Sequence, residues 1–123
     1  MLLFNLQKAI FAAINVTAVK TTAGIYDYVP EKVPFPFIVI GDDSAIELNT
    51  KDGRGYETSS IIHIWGKDRS MKKVKTLMGT LEGLLAQDLG DFEFYKITSM
   101  SVRRETLELV KGTLEVKYRI SED

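Results

Sequence analysis

The chain has no cysteine, one histidine, one tryptophan and three prolines. It has no apolar run near the roughly 20 residues that cross a bilayer as a helix. Each absence removes a class of function. Without cysteine there are no disulfides, no thiolate metal sites and no thiol nucleophiles, so stability comes from packing, as suits a reducing cytoplasm. With His63 alone, a histidine-rich metal site is impossible. An excess of one charge is missing too: lysine plus arginine nearly balance aspartate plus glutamate, for a formal net charge of −1. Proteins that depend on phosphate neutralisation usually carry a basic excess or stripe, and this one has neither. The apolar start Met1-Leu2-Leu3-Phe4 has no basic region before it and is interrupted at Asn5, Gln7 and Lys8, which predicts a soluble, unexported chain with no membrane partner.

What is present fits one ordinary globular domain over residues 1–123, with 45% apolar and 27% charged residues. The spacing predicts an amphipathic helix from about Leu3 to Val16, with Leu3, Leu6, Ile10, Ala13 and Ile14 on its buried face. Phe4 and Phe11 widen that face on one flank, and are expected to fill core unless the flank meets a neighbouring subunit. Ile25 to Val29 reads as a short strand. Pro30, Pro34 and Pro36 then exclude helix and favour an extended, turning connection. Phe37 to Gly41 is apolar at every position before the glycine, the mark of a strand flanked on both sides, and it continues towards Leu48.

Asn49-Thr50-Lys51-Asp52-Gly53-Arg54-Gly55 is turn chemistry, with two glycines able to supply positive φ. With the β-branched and aromatic run Tyr56 to Trp65 it predicts a long hairpin. A second helix is expected from about Ser70 to Gln87, capped by Asp68 or Ser70, with Val74, Leu77, Met78, Leu81, Leu84 and Leu85 as its buried stripe. Phe92 to Arg104 follows as a strand whose apolar parity shifts between Ile97 and Met100, predicting a bulge. In the strand Val110 to Ile120, Val110, Leu114, Val116, Tyr118 and Ile120 alternate with Lys111, Thr113, Glu115, Lys117 and Arg119. The predicted order is α-β-β-β-α-β-β: an α+β fold with a single, mostly antiparallel sheet and two helices packed mainly on one face.

The search for chemistry is mostly negative. His63 lies inside a strand with no nucleophile or carboxylate beside it in sequence, and no serine sits in a nucleophile-elbow motif. Asp42 and Asp43 are neighbours on a strand, so their carboxylates point to opposite faces and make no acid–base pair. Gly53-Arg54-Gly55 is followed by a strand instead of a helix N-terminus, which rules against a phosphate loop. Arg103, Arg104, Lys111, Lys117 and Arg119 are interleaved with Glu105, Glu108 and Glu115, a mixed-charge face open to solvent. Phe92, Phe94 and Tyr95 would serve as stacking platforms for single-stranded nucleic acid only if exposed. No catalytic, cofactor-binding or metal residue is assigned. Two features are candidate assembly contacts. One is the hairpin tip, Asn49, Thr50, Lys51, Asp52, Gly53, Arg54 and Gly55. The other is a small, uncharged patch on the second helix, Thr76, Gly79 and Gly83, where each helical glycine costs roughly 1 kcal/mol relative to alanine.

A family resemblance gathers these readings. Ile25-Tyr26-Asp27, Val29-Pro30, the run Pro34-Phe35-Pro36-Phe37-Ile38-Val39-Ile40-Gly41 and the strand end Ile62-His63-Ile64-Trp65 resemble the small tail-completion, or tail-to-head joining, proteins of long-tailed bacteriophages and prophages. Those are similar in turn to tail terminator proteins. The resemblance covers nearly the whole chain and implies a structural protein, not an enzyme, without cofactor. It implies an oligomeric ring, commonly of six copies, on the last ring of the tail tube. The implied partners are the tail tube protein and a head-completion or connector protein, with nucleic acid only by proximity. The implied location is the bacterial host cytoplasm during assembly and the virion tail afterwards. The alternative is a small ligand- or nucleic-acid-binding adaptor module using the polar face of the sheet.

Overall fold

The architecture comes from a computed structural model, which describes residues 1–50 and 53–122, with the side chains of Thr50 and Glu122 left aside. Its elements are α1 (Leu2–Ile14), α2 (Thr17–Lys20), β1 (Gly24–Tyr26), β2 (Phe37–Thr50), β3 (Gly53–Lys67), α3 (Met71–Leu85), β4 (Glu93–Arg104) and β5 (Leu109–Glu122). The five strands form one sheet in the order β1-β2-β3-β5-β4. All pairs are antiparallel except β1 with β2, which run parallel through Gly24–Phe37, Ile25–Ile38 and Tyr26–Val39. This is the α+β fold read from the sequence, with one extra short helix. At four residues α2 is too short for periodicity to register in the sequence; Val19, fully buried, anchors it.

The helices lie on one face of the sheet. Leu6, Ile10 and Ile14 of α1 meet Ile38 and Ile40 of β2, while Val74, Leu77, Leu81 and Leu85 of α3 lie over Ile62, Ile64, Val110, Leu114 and Val116. The buried stripe of α1 is rotated from the expected one. Leu3 is exposed, with Leu2 and Ala9 taking its place at the core edge, and Phe4 and Phe11 are 52% and 40% exposed instead of filling core. Burying i, i+4 and i+8 satisfies the helix with a narrow stripe, which leaves both aromatic rings outside.

Local irregularities follow the sequence. β2 shifts register between Val39 and Asp42, where Gly41 adopts φ 103°. That conformation is easy only for glycine. The expected bulge in β4 is present between Ile97 and Ser99, and a second lies between Phe94 and Lys96. The expected capping of α3 takes another form: Ser70 donates its hydroxyl back to the Lys67 carbonyl, and Asp68 pairs with Arg104 at 2.7 Å.

Candidate functional site

The hairpin tip is shorter than expected. β2 and β3 stay paired through Leu48–Gly55, Asn49–Arg54 and Thr50–Gly53, so the seven-residue turn read from the sequence is mostly ladder. Lys51 and Asp52 lie outside the described residues. The turn composition misled because its members have other tasks. Arg54 pairs with Glu47 at 3.0 Å along the exposed ladder. Gly55 lies hard against β5, since a Cβ there would stand 2.7 Å from the Ile120 carbonyl oxygen.

The α3 patch is divided. Thr76 donates to the Lys72 carbonyl at 2.8 Å and lines a groove beside α2 with Ala18, Thr22, Arg69 and Lys72. Gly79 lines a different groove of about 260 Å³, between α3 and β4, with Lys75, Met78, Glu82 and the stretch Met100 to Val102. A Cβ at Gly79 or Gly83 would meet nothing within 4 Å. Neither glycine is demanded by packing inside this chain. Gly79→Ala and Gly83→Ala are therefore each expected to raise folding stability by about 0.5–1 kcal/mol, the helix-propensity difference, in urea denaturation. A loss of stability would show that the helix needs these glycines for its own packing.

The second face of the sheet carries no helix, and there the cross-strand pairs bring polar groups together. His63 does have a carboxylate near it, contrary to the sequence reading. Asp42 Oδ2 lies 3.8 Å from His63 Nε2, and Thr113 Oγ1 lies 3.5 Å from Nδ1. The sequence hides this because both partners come from neighbouring strands. The contacts are long, and the three side chains stand on an open sheet face. Burial holds the imidazole pKa down, Lys111 adds to that, and Asp42 opposes it. The ring is thereby biased towards its neutral form.

Asp42 and Asp43 do diverge. Asp43 turns to the helix side near Ser60, where burial pushes its carboxyl pKa up, opposed by Ser60 and reinforced by Asp42. Ser60 itself is buried and makes no hydrogen bond of ordinary geometry. Glu115 accepts hydrogen bonds from Thr98 at 2.5 Å and Ser59 at 2.9 Å, which lower its pKa. Arg119 bonds Glu57 at 3.3 Å and stacks its guanidinium 3.8 Å over the Tyr95 ring. Tyr95 thus passes the exposure test that Phe92 fails, but its ring face is already taken by Arg119. Of the mixed charges expected on one face, Arg103, Lys111, Lys117, Arg119 and Glu115 share the helix-free side, while Arg104 lies on the other side and pairs with Asp68. Among the described residues no three histidine or acidic side chains gather as a metal site, and no helix is long and apolar enough to cross a membrane.

A family model described as "Tail completion protein gp17" matches residues 6–121. A search of curated proteins found no match. Among solved structures, a chain of a "Virion of native gene transfer agent (GTA) particle" is similar with a TM-score of 0.77 at 19% identity, over 95% of each chain. At that identity the likeness concerns the fold.

Proposed function

We propose a function on one premise: the chain belongs to the tail completion protein gp17 family, and is a phage tail-completion virion protein. Its role is structural, without catalysis. It completes the tail and joins it to the head, as a ring of copies seated on the end of the tail tube. Its partners are further copies of itself, the tube protein below and a head-completion or connector protein above. Assembly takes place in the host cytoplasm before the protein resides in the virion tail.

The observation that carries this reading is the extent of the family match, which takes in both long helices and all five strands nearly end to end. The virion origin of the structurally similar chain supports it. So does the physical character of the surface: a sheet face that carries no helix, and exposed Phe4 and Phe11 beside Lys8 on α1. Single exposed apolar residues are common, but aromatic rings on a helix flank are well suited to a subunit contact. The hairpin tip from Asn49 to Gly55 and the Thr76, Gly79 and Gly83 positions remain the proposed contacts with neighbouring subunits or the tube.

The test is disruption of the coding sequence in the phage or prophage that carries it. Electron microscopy of the lysate is expected to show separate tails and filled heads, and supplying the intact chain in trans restores joined particles. Normal joined particles in the disrupted lysate would overturn the proposal.

A further inference from the structure

The sheet ends in two open edges. β1 covers β2 only at Phe37, Ile38 and Val39, so from Asp42 to Asn49 the outer edge of β2 has no strand partner among the described residues. At the other end, the Asp88 carboxylate holds the Phe94 N–H at 2.8 Å, and among the described residues β4 beyond it has no outer strand partner. A row of unpaired backbone donors and acceptors is a template for another strand. Neither edge contains proline, and the bulges in β4 leave Ser99 to Arg104 as a regular stretch.

Strand direction and charge together select the partner. β2, β3, β5 and β4 alternate in direction, so β2 and β4 run opposite ways. A second copy rotated about an axis along the strands brings its β2 antiparallel to the first copy's β4. That contact is heterologous and closes into a ring when the rotation closes. β2 carries Asp42, Asp43 and Glu47 and no cation, while β4 carries Lys96, Arg103 and Arg104 against Glu93 alone. Pairing either edge with itself would oppose like charges; pairing one with the other opposes unlike charges.

The register follows from the faces. Asp42 is opposite Ile61 and Arg103 opposite Lys111, both on the helix-free face, and Arg103 makes no ion pair among the described residues. Setting Asp42 against Arg103 puts Ser44 against Ser101, Ala45 against Met100 and Ile46 against Ser99. Small residues then meet Met100, 45% exposed, and Ile46, 59% exposed, is partly covered. On the helix side this seam borders the groove at Gly79, where a Cβ would meet only open space.

We propose that copies of this chain join edge to edge, the Asp42–Ile46 stretch of β2 on one copy pairing antiparallel with the Ser99–Arg103 stretch of β4 on the next, so that the sheet runs on from subunit to subunit. This rests on the ring proposed above and names the contact that closes it.

The absence of cysteine makes the test clean. Phage carrying the chain with Ser44→Cys and Ser101→Cys, or Ser44→Cys and Ser99→Cys to allow for a two-residue slip, are purified and oxidised mildly. Non-reducing gels of the particles are expected to show a ladder of disulfide-linked oligomers for at least one pair. Each single variant is expected to stay monomeric. Asp42→Arg or Arg103→Asp alone is expected to abolish the ladder in the double-cysteine background, and the two together to restore it. Disulfide-linked dimers from Ser44→Cys alone would mean that like edges meet, and would overturn the proposal. So would protein incorporated into particles without any ladder, which would leave the tail-completion reading standing. Absence of the unmodified chain from purified particles would overturn both.

Discussion

Replacing Tyr118 with alanine is expected to cost about 3–5 kcal/mol of folding stability, the range for deleting a large buried aromatic. Tyr118 is fully buried on the helix side of β5, edge-on to Phe94 with ring centroids 6.2 Å apart. Its hydroxyl donates to the Leu85 carbonyl at 2.7 Å. Leu85 is the last residue of α3, and the final carbonyls of a helix have no partner within it. Tyr118 thus ties the end of α3 to the sheet. Tyr118→Phe keeps the ring and loses the bond, and is expected to cost about 1–3 kcal/mol by leaving that carbonyl unsatisfied.

The same bond predicts a pH dependence. Burial raises the phenol pKa above its ordinary value of 10.0, so at high pH the unfolded chain releases this proton while the folded chain retains it. The stabilisation is complete below pH 10 and is lost as pH rises above it. Denaturant titrations from neutral to alkaline pH are expected to show the Tyr118→Phe cost shrinking above pH 10. A cost that stays constant there would mean the hydroxyl is not held as described.

Gly55→Ala is expected to cost about 1–3 kcal/mol, because overpacking against backbone cannot be relieved by a side-chain rotation. The added Cβ would stand 2.7 Å from the Ile120 carbonyl oxygen, so β3 and β5 must separate at the hairpin end. Backbone amide exchange should accelerate around Tyr118 to Ile120, with α3 amides protected as before. An unchanged stability would return Gly55 to the role of a simple turn residue. The position matters for assembly, since Gly55 stands opposite Ser121 where β5 pairs with the end of the hairpin.

Sequence alone determined the succession of long elements, because helices and strands repeat at different periods and those periods are local. The alternation from Val110 to Ile120 is the inner and outer face of β5, and the parity slip near Ile97 is a bulge. The proline-rich entry and the strands around it carried the family resemblance. Local pattern also explains the failures. A stripe of alternating or periodic residues gives a direction but not an angle, so the rotation of α1 that exposes Phe4 and Phe11 waited for the sheet beneath it. Turn-forming residues suggest a turn at Asn49 to Gly55, where the glycine at 55 answers to β5, a strand distant in sequence.

Only the tertiary structure decided which groups meet across strands. It brought Asp42 to His63, Glu115 to Ser59 and Thr98, and Tyr118 to the end of α3. It also decided which strands are left at the edges. The order β1-β2-β3-β5-β4 puts an acidic strand at one open edge and a basic strand at the other. Composition averages those charges to a near-neutral chain, because a sum over residues carries no position; the fold separates them in space.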